Sequence, residues 1–257
     1  MLSGLDVLGG KQDSATTSFR YPSRPSNSAK MKLHYIGILR NDSKPAVELC
    51  SEMELSAYSR FTRNSYAEFM SLFSKKVAES TRPGQRQDIE EGDNTFHCVG
   101  RSEGICGVII SDHQYPSLVA HQLLSKMYVH HPPQGPPSLL PVPLIRSQGH
   151  ADNGRNSVDE FLTKHPRSTW ATGEPKLVLP ELKEYLTRYQ DPQQADSILK
   201  IQKELDETKI VLHKTIQSVL ERGEKIDDLV AKSDGLSSQS KMFYQQAKKQ
   251  NSCCTVM

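Results

Sequence analysis

No stretch of this sequence approaches the eighteen or so uninterrupted apolar residues of a membrane-spanning helix, so none is encoded. A secretory leader is not expected either, because MLSGLDVLGGKQDSATTSF has neither a basic start nor a long apolar run. Neither sign of charge dominates. With 32 Lys and Arg against 30 Asp and Glu, the chain lacks the cationic excess on which sequence-blind nucleic-acid binding rests, and no nucleic-acid partner is expected. Cysteine is scarce and odd in number. Cys50, Cys98, Cys106, Cys253 and Cys254 make no disulfide framework, which fits a reducing, cytosolic setting. Apolar residues are 36% of the 257, below the globular norm, so part of the chain is expected to have no core of its own.

Catalytic chemistry is missing as well. His97-Cys98 and Cys106 have no ligand-pair spacing, so no metal is expected, and these two cysteines read as buried strand residues. The nearest approach to a phosphate loop, Gly9-Gly10-Lys11-Gln12, lacks both the leading Gly and the Ser or Thr after Lys. No catalytic residue is assigned, and the chain does not read as an enzyme.

What is present falls into segments. Residues 1–30 are rich in Ser, Gly and Pro without periodicity and read as a flexible extension. Residues 33–39 and 46–50 read as strands around the turn Asn41-Asp42-Ser43-Lys44-Pro45. A helix capped at Asn64-Ser65 runs to about Val77, with Phe69, Leu72, Phe73 and Val77 on one stripe. Residues 95–101 and 105–111 read as a hairpin joined around Ser102-Glu103-Gly104, and Pro116 opens a helix to about Met127. A final helix from about Glu181 carries Leu182, Leu186 and Tyr189, and Gln190-Asp191-Pro192 ends the unit. This is a small α+β domain. Residues 128–157 interrupt it with six prolines, which no helix survives. Removing them joins Met127 to Val158 and carries the stripe of Ala120, Leu124 and Met127 on to Phe161 and Leu162. The segment is either a surface loop or an in-frame insert, and low order is expected in both cases.

Between residues 198 and 250 there is no proline, and only Gly223 and Gly235 weaken a helix. Mostly apolar residues recur with alternating steps of three and four: Ile198, Ile201, Leu205, Thr208, Leu212, Thr215, Val219, then Arg222, then Ile226, Leu229, Ser233, Leu236, Ser240, Phe243 and Ala247. This is a 3.5-residue coiled-coil repeat. At 1.5 Å per residue it would reach roughly 80 Å, too long to pack on one small domain, so it needs partner helices and is expected to be mostly disordered without them. Arg222 falls in phase with the seam between Val219 and Ile226. A guanidinium buried there costs several kcal/mol unless its five donors are satisfied, and glutamine carbonyls on partner helices could satisfy them. The alternative frame puts Arg222 on a flank. The chain ends in Cys254-Thr255-Val256-Met257, a C-a-a-X box whose Met favours farnesyl. Cys253 beside it suits palmitoylation, and Lys241, Lys248 and Lys249 add a basic patch for anionic headgroups. One lipid chain binds membranes marginally and two bind durably, so residues 251–257 read as a switchable anchor.

Together the stretches GQRQDIEEG (84–92), RSEGICGVIISD (101–112), RYQDP (188–192), ELDETKIVLHKTI (204–216), LERGEKIDDLV (220–230) and SKMFYQQAKKQNSCC (240–254) resemble the prenylated longin-domain R-SNAREs. The resemblance implies a profilin-like longin domain over 31–190, a five-stranded antiparallel sheet between helices. A long SNARE coiled-coil helix over 191–250 would follow. It implies that Arg222 is the ionic-layer residue facing three glutamines, flanked by core layers at Leu212, Val219, Ile226, Leu229 and Phe243. It also implies farnesyl on Cys254, palmitoyl on Cys253, no other cofactor, and Q-SNARE partners in a four-helix bundle. The expected activity is fusion in ER-Golgi, endosomal or vacuolar traffic, with the protein both cytoplasmic and peripheral on the cytosolic faces of those membranes. A closed, monomeric soluble form would shelter the lipid and the folded-back segment in a groove for which Phe69, Leu72 and Phe73 are the candidates. A lipid-anchored tether without fusogenic activity is the alternative. Residues 1–30 and 128–157 depart from the family pattern, and Met31 is the expected alternative start.

Overall fold

A computed structural model describes residues 32–124, 157–190 and 209–253. The extension 1–30, nearly all of the 128–157 interruption, the 191–208 part of the heptad segment and Cys254 lie outside the described residues.

Strand β1 (Leu33–Arg40) is buried along its whole length, because LHYIGILR has large apolar residues on both faces and the sheet is covered on both. It pairs antiparallel with β2 (Val47–Met53) on one side and β5 (Ile105–Asp112) on the other. Next come β4 (Asn94–Gly100) and β3 (Arg86–Glu91), also antiparallel. These five strands are the sheet that the resemblance implies. A sixth, β6 (Ile210–His213), extends it by pairing parallel with β3, giving the order β2-β1-β5-β4-β3-β6. The strand count is therefore six, and the extra one comes from the heptad segment.

Helix α1 (Arg63–Ser80) covers one face with Phe69, Met70, Phe73 and Val77, all buried beside Tyr35, Leu39, Phe96 and Ile110. It starts earlier than the Asn64-Ser65 cap suggests. The preceding turn already supplies acceptors, with the Ser59 carbonyl taking the Arg63 N–H at 2.9 Å, so Thr62 stands at the cap without a side-chain bond. The other face is covered by α2 (Ser117–Leu124), α3 (Ser157–Lys164) and α4 (Glu181–Arg188). Ala120 and Leu124 of α2 share one apolar cluster with Phe161 of α3, Trp170 and Leu182. Arg40 ties the connector to the sheet by donating to the Trp170 and Gly173 carbonyls at 2.6 and 2.9 Å.

Residues 209–253 are not one long helix here. They run as β6, a 3-10 turn (Ile216–Val219), α5 (Ile226–Lys232) and α6 (Ser238–Cys253), laid along the α1 side of the domain. The expectation of disorder without partners fails for the same physical reason that prompted it. An apolar stripe must be covered, and this domain offers a surface that covers it.

Candidate functional site

Tyr66, Phe69 and Phe73 recur at helical spacing, so α1 presents them on one stripe. Phe69 and Phe73 stack with centroids 6.0 Å apart, and both are fully buried, while Leu72 beside them is half-buried. Helix α6 supplies the opposing rings. Phe243 meets Tyr66 edge-on at 5.7 Å and Phe69 at 6.5 Å, and Tyr244 lies 6.1 Å from Phe69. The Tyr244 hydroxyl donates to Asp227 Oδ1 at 2.7 Å, which ties α6 to α5 as well. Glu68 Oε2 accepts the Ser237 N–H at 2.8 Å, one residue before α6 begins. Burial raises the Glu68 carboxyl, but bonds from Ser240 and Ser237 outweigh it and leave it below the usual carboxylate range.

The segment enters this surface through the β3–β6 ladder, where Arg86 to Ile89 face Ile210 to His213. Just past β6, the buried Ile216 N–H donates to Glu91 Oε2 at 2.9 Å. On α5, α6 and the turn between them the heptad seam is the face turned inward: Ile226, Leu229, Leu236, Ser240 and Ala247 are all buried, with Phe243 half-buried. Nearer the strand the seam is looser, with Leu212 59% exposed and Val219 half-buried. Arg222 is exposed in the turn between Val219 and α5, where the Glu224 N–H reaches the Glu221 carbonyl at 2.9 Å and Gly223 adopts φ +90°.

Comparison with known proteins decides what this arrangement belongs to. A regulated-SNARE-like longin domain matches residues 55–130, and a synaptobrevin domain matches 197–255. The synaptobrevin homolog ykt6 of Schizosaccharomyces pombe is 51% identical over 226 residues, covering 88% of this chain and 100% of that protein. The YKT6 homologs of Yarrowia lipolytica and Saccharomyces cerevisiae are 46% and 45% identical over 230 residues, with the same coverage. The chain belongs to the longin-domain R-SNAREs.

As an R-SNARE it acts in vesicle trafficking, with the synaptobrevin segment as the part that enters SNARE complexes. Among the described residues no helix is long and apolar enough to cross a membrane. The structure brings Phe69 and Phe73 together with the segment's Phe243 and Tyr244, places Leu72 at the margin of the same cluster, and leaves Arg222 in water. The acids flanking Arg222 hold its turn to the domain: Glu221 pairs with Lys44, and Glu224 Oε1 lies 3.0 Å from Lys76 Nζ. The bond from Glu221 raises the Lys44 ammonium. Cys253 ends α6, while Cys254 and the rest of the box lie outside the described residues.

Sequence reasoning missed several members of this site. Tyr244 and Asp227 lie off the seam, so a heptad count passes over them. Gly223 counts in the heptad pattern as a weak spot in a helix, although RGE beside an apolar seam is also a turn signal. Outside this site, on the opposite face of the sheet, the buried set of Asp88, His97 and His121 also escapes, because its members come from β3, β4 and α2 with no local spacing to betray them.

Proposed function

We propose that this R-SNARE drives membrane fusion by zippering its 191–250 segment with three Q-SNARE helices, and that the described arrangement is its autoinhibited form. One observation carries the reading. The seam residues Ile226, Leu229, Leu236 and Ala247, which a four-helix bundle would bury between partner helices, are buried instead against the chain's own longin domain. A single apolar face cannot occupy both places, so release from the α1 groove is the step that licenses zippering. Phe69, Leu72 and Phe73 serve as the groove that holds the segment, and the role needs no catalytic residue or soluble cofactor.

In the bundle Arg222 moves from water into the central layer, where glutamine carbonyls from three partners take its donors, with Leu212, Val219, Ile226, Leu229 and Phe243 as apolar layers around it. Farnesyl on Cys254 and palmitoyl on Cys253 anchor the protein to the cytosolic faces of Golgi, endosomal, vacuolar and vesicle membranes. Closing the groove over an apolar stripe and a lipid keeps both from aggregating in the cytosol. The test is assembly of the full chain with three Q-SNARE helices, followed by thermal melting. The expected result is a bundle that melts well above the free chain and that Arg222→Ala changes in melting temperature. A bundle that does not form, or one indifferent to Arg222→Ala, contradicts the proposal.

A further inference from the structure

Asp88, His97 and His121 meet inside the domain on the face of the sheet away from α1. The Asp88 side chain is 9% exposed, and the two imidazoles are 1% and 0% exposed. His97 Nδ1 lies 2.8 Å and His121 Nε2 2.6 Å from the same carboxylate oxygen, Asp88 Oδ1, and the rings stand nearly perpendicular at 82°. Ser117 donates to the other oxygen, Oδ2.

The hydrogens around His97 decide what the cluster can hold. Ser111 Oγ lies 2.9 Å from His97 Nε2 and 3.1 Å from the Asp112 carbonyl, so it can take an Nε2–H bond and pass one on to that carbonyl. Without a metal, His97 Nδ1–H and His121 Nε2–H both donate to Asp88 Oδ1, and moving each ring proton to the far nitrogen turns the same three atoms into a ligand set. A second buried imidazole converges on the same oxygen from α2. Two imidazole nitrogens and a carboxylate, with one ring oriented through its far nitrogen by a hydroxyl, are the donor set and outer support that divalent zinc takes.

We propose that Asp88, His97 and His121 form a structural site for a divalent first-row cation, with zinc as its ordinary occupant. The three donor atoms lie within 4.8 Å of one another. Tetrahedral zinc at 2.0–2.1 Å from each donor needs them about 3.3 Å apart, so the two contacts with Oδ1 open by roughly half an ångström. The second carboxylate oxygen or a water takes the fourth position. Imidazole and carboxylate donors without thiolate suit zinc, and the hydrogen bonds that now link them yield to metal bonds as the ring protons leave. The site ties β3 and β4 to α2, an eight-residue helix too short to hold itself. That helix also stands immediately before the proline-rich interruption, so a clamp at His121 fixes the domain where the sequence breaks it.

The test uses the full chain, stripped with chelator, dialysed against zinc and assayed for metal by mass spectrometry, with cobalt as the spectroscopic probe. The expected result is one zinc per chain, a melting temperature several degrees higher with zinc, and cobalt bands of a tetrahedral nitrogen–oxygen site. His121→Gln and Asp88→Asn should each weaken zinc at least 100-fold, while replacing both Cys253 and Cys254 by Ser leaves it unchanged. Ser111→Ala, which keeps all three ligands, should weaken it about tenfold. Zinc retained equally by His121→Gln, or a thiolate-to-cobalt band, would place the metal elsewhere and overturn the proposal. No retained zinc would reduce the cluster to a hydrogen-bonded network. If a ligand variant fails to fold, the cobalt spectrum of the unaltered chain decides alone.

Discussion

Gly223→Ala separates the closed form from the bundle by acting on them with opposite signs. In the structure Gly223 sits at φ +90°, and a Cβ built there meets nothing within 4 Å, so the cost of alanine is one of backbone conformation alone. A left-handed conformation costs an L-residue about 1–2 kcal/mol. In the continuous helix that a bundle requires, alanine is favoured over glycine by about 0.8–1 kcal/mol. The two effects add to about 2–3 kcal/mol in favour of release, or roughly 30- to 140-fold in the closed-to-open equilibrium. Native-state hydrogen exchange reads the first effect directly. In the free chain, where no bundle helix forms, only the closed-form strain of about 1–2 kcal/mol acts, so amides of α5 and α6 should exchange roughly 5- to 30-fold faster, while those of β1 and β5 keep their protection. Exchange on α5 and α6 that is slower, or within about threefold of the unaltered chain, would refute the claim that this turn holds the segment closed.

Other substitutions probe the same balance. Tyr244→Ala removes a ring buried against Phe69 and a bond to Asp227 without touching the seam; burial of such a ring is worth about 2–3 kcal/mol, so partner association should speed up while bundle stability holds. Leu72→Glu sets a charge at the margin of the groove and should move the protein from cytosol to membrane in fractionation, an unchanged cytosolic share being the contrary result. Arg222→Ala should leave the free chain's stability within about 0.5 kcal/mol, since the side chain is exposed, and should show its effect only in the assembled bundle.

Much of this architecture can be read from residue patterns. β1, β2, β4 and β5 announce themselves by apolar runs between turn signals, and α1 by its stripe of Phe69, Phe73 and Val77. β3 does not, because RQDIEE has one apolar residue and becomes a strand through its ladders with β4 and β6. The heptads of the segment are legible as a face that must be buried, and on α5 and α6 that face is buried. What periodicity cannot say is against what. Seven heptads read as a call for foreign helices, yet the same stripe fits the apolar side of α1, and a count of threes and fours is blind to that choice. Off-seam residues such as Tyr244 and Asp227, and long-range sets such as Asp88 with His97 and His121, depend on how the elements are placed and leave no mark in local spacing.

The claim that one apolar face is shared in turn by two structures is tested most directly by a distance across the closed contact. Dyes on Lys75 of α1 and Gln245 of α6, both on helices joined by the Phe69–Tyr244 contact, should report one short separation in the free chain. Adding three Q-SNARE helices should lengthen it by tens of ångströms as the segment straightens at 1.5 Å per residue. A bundle that assembles while the short distance persists would contradict the account.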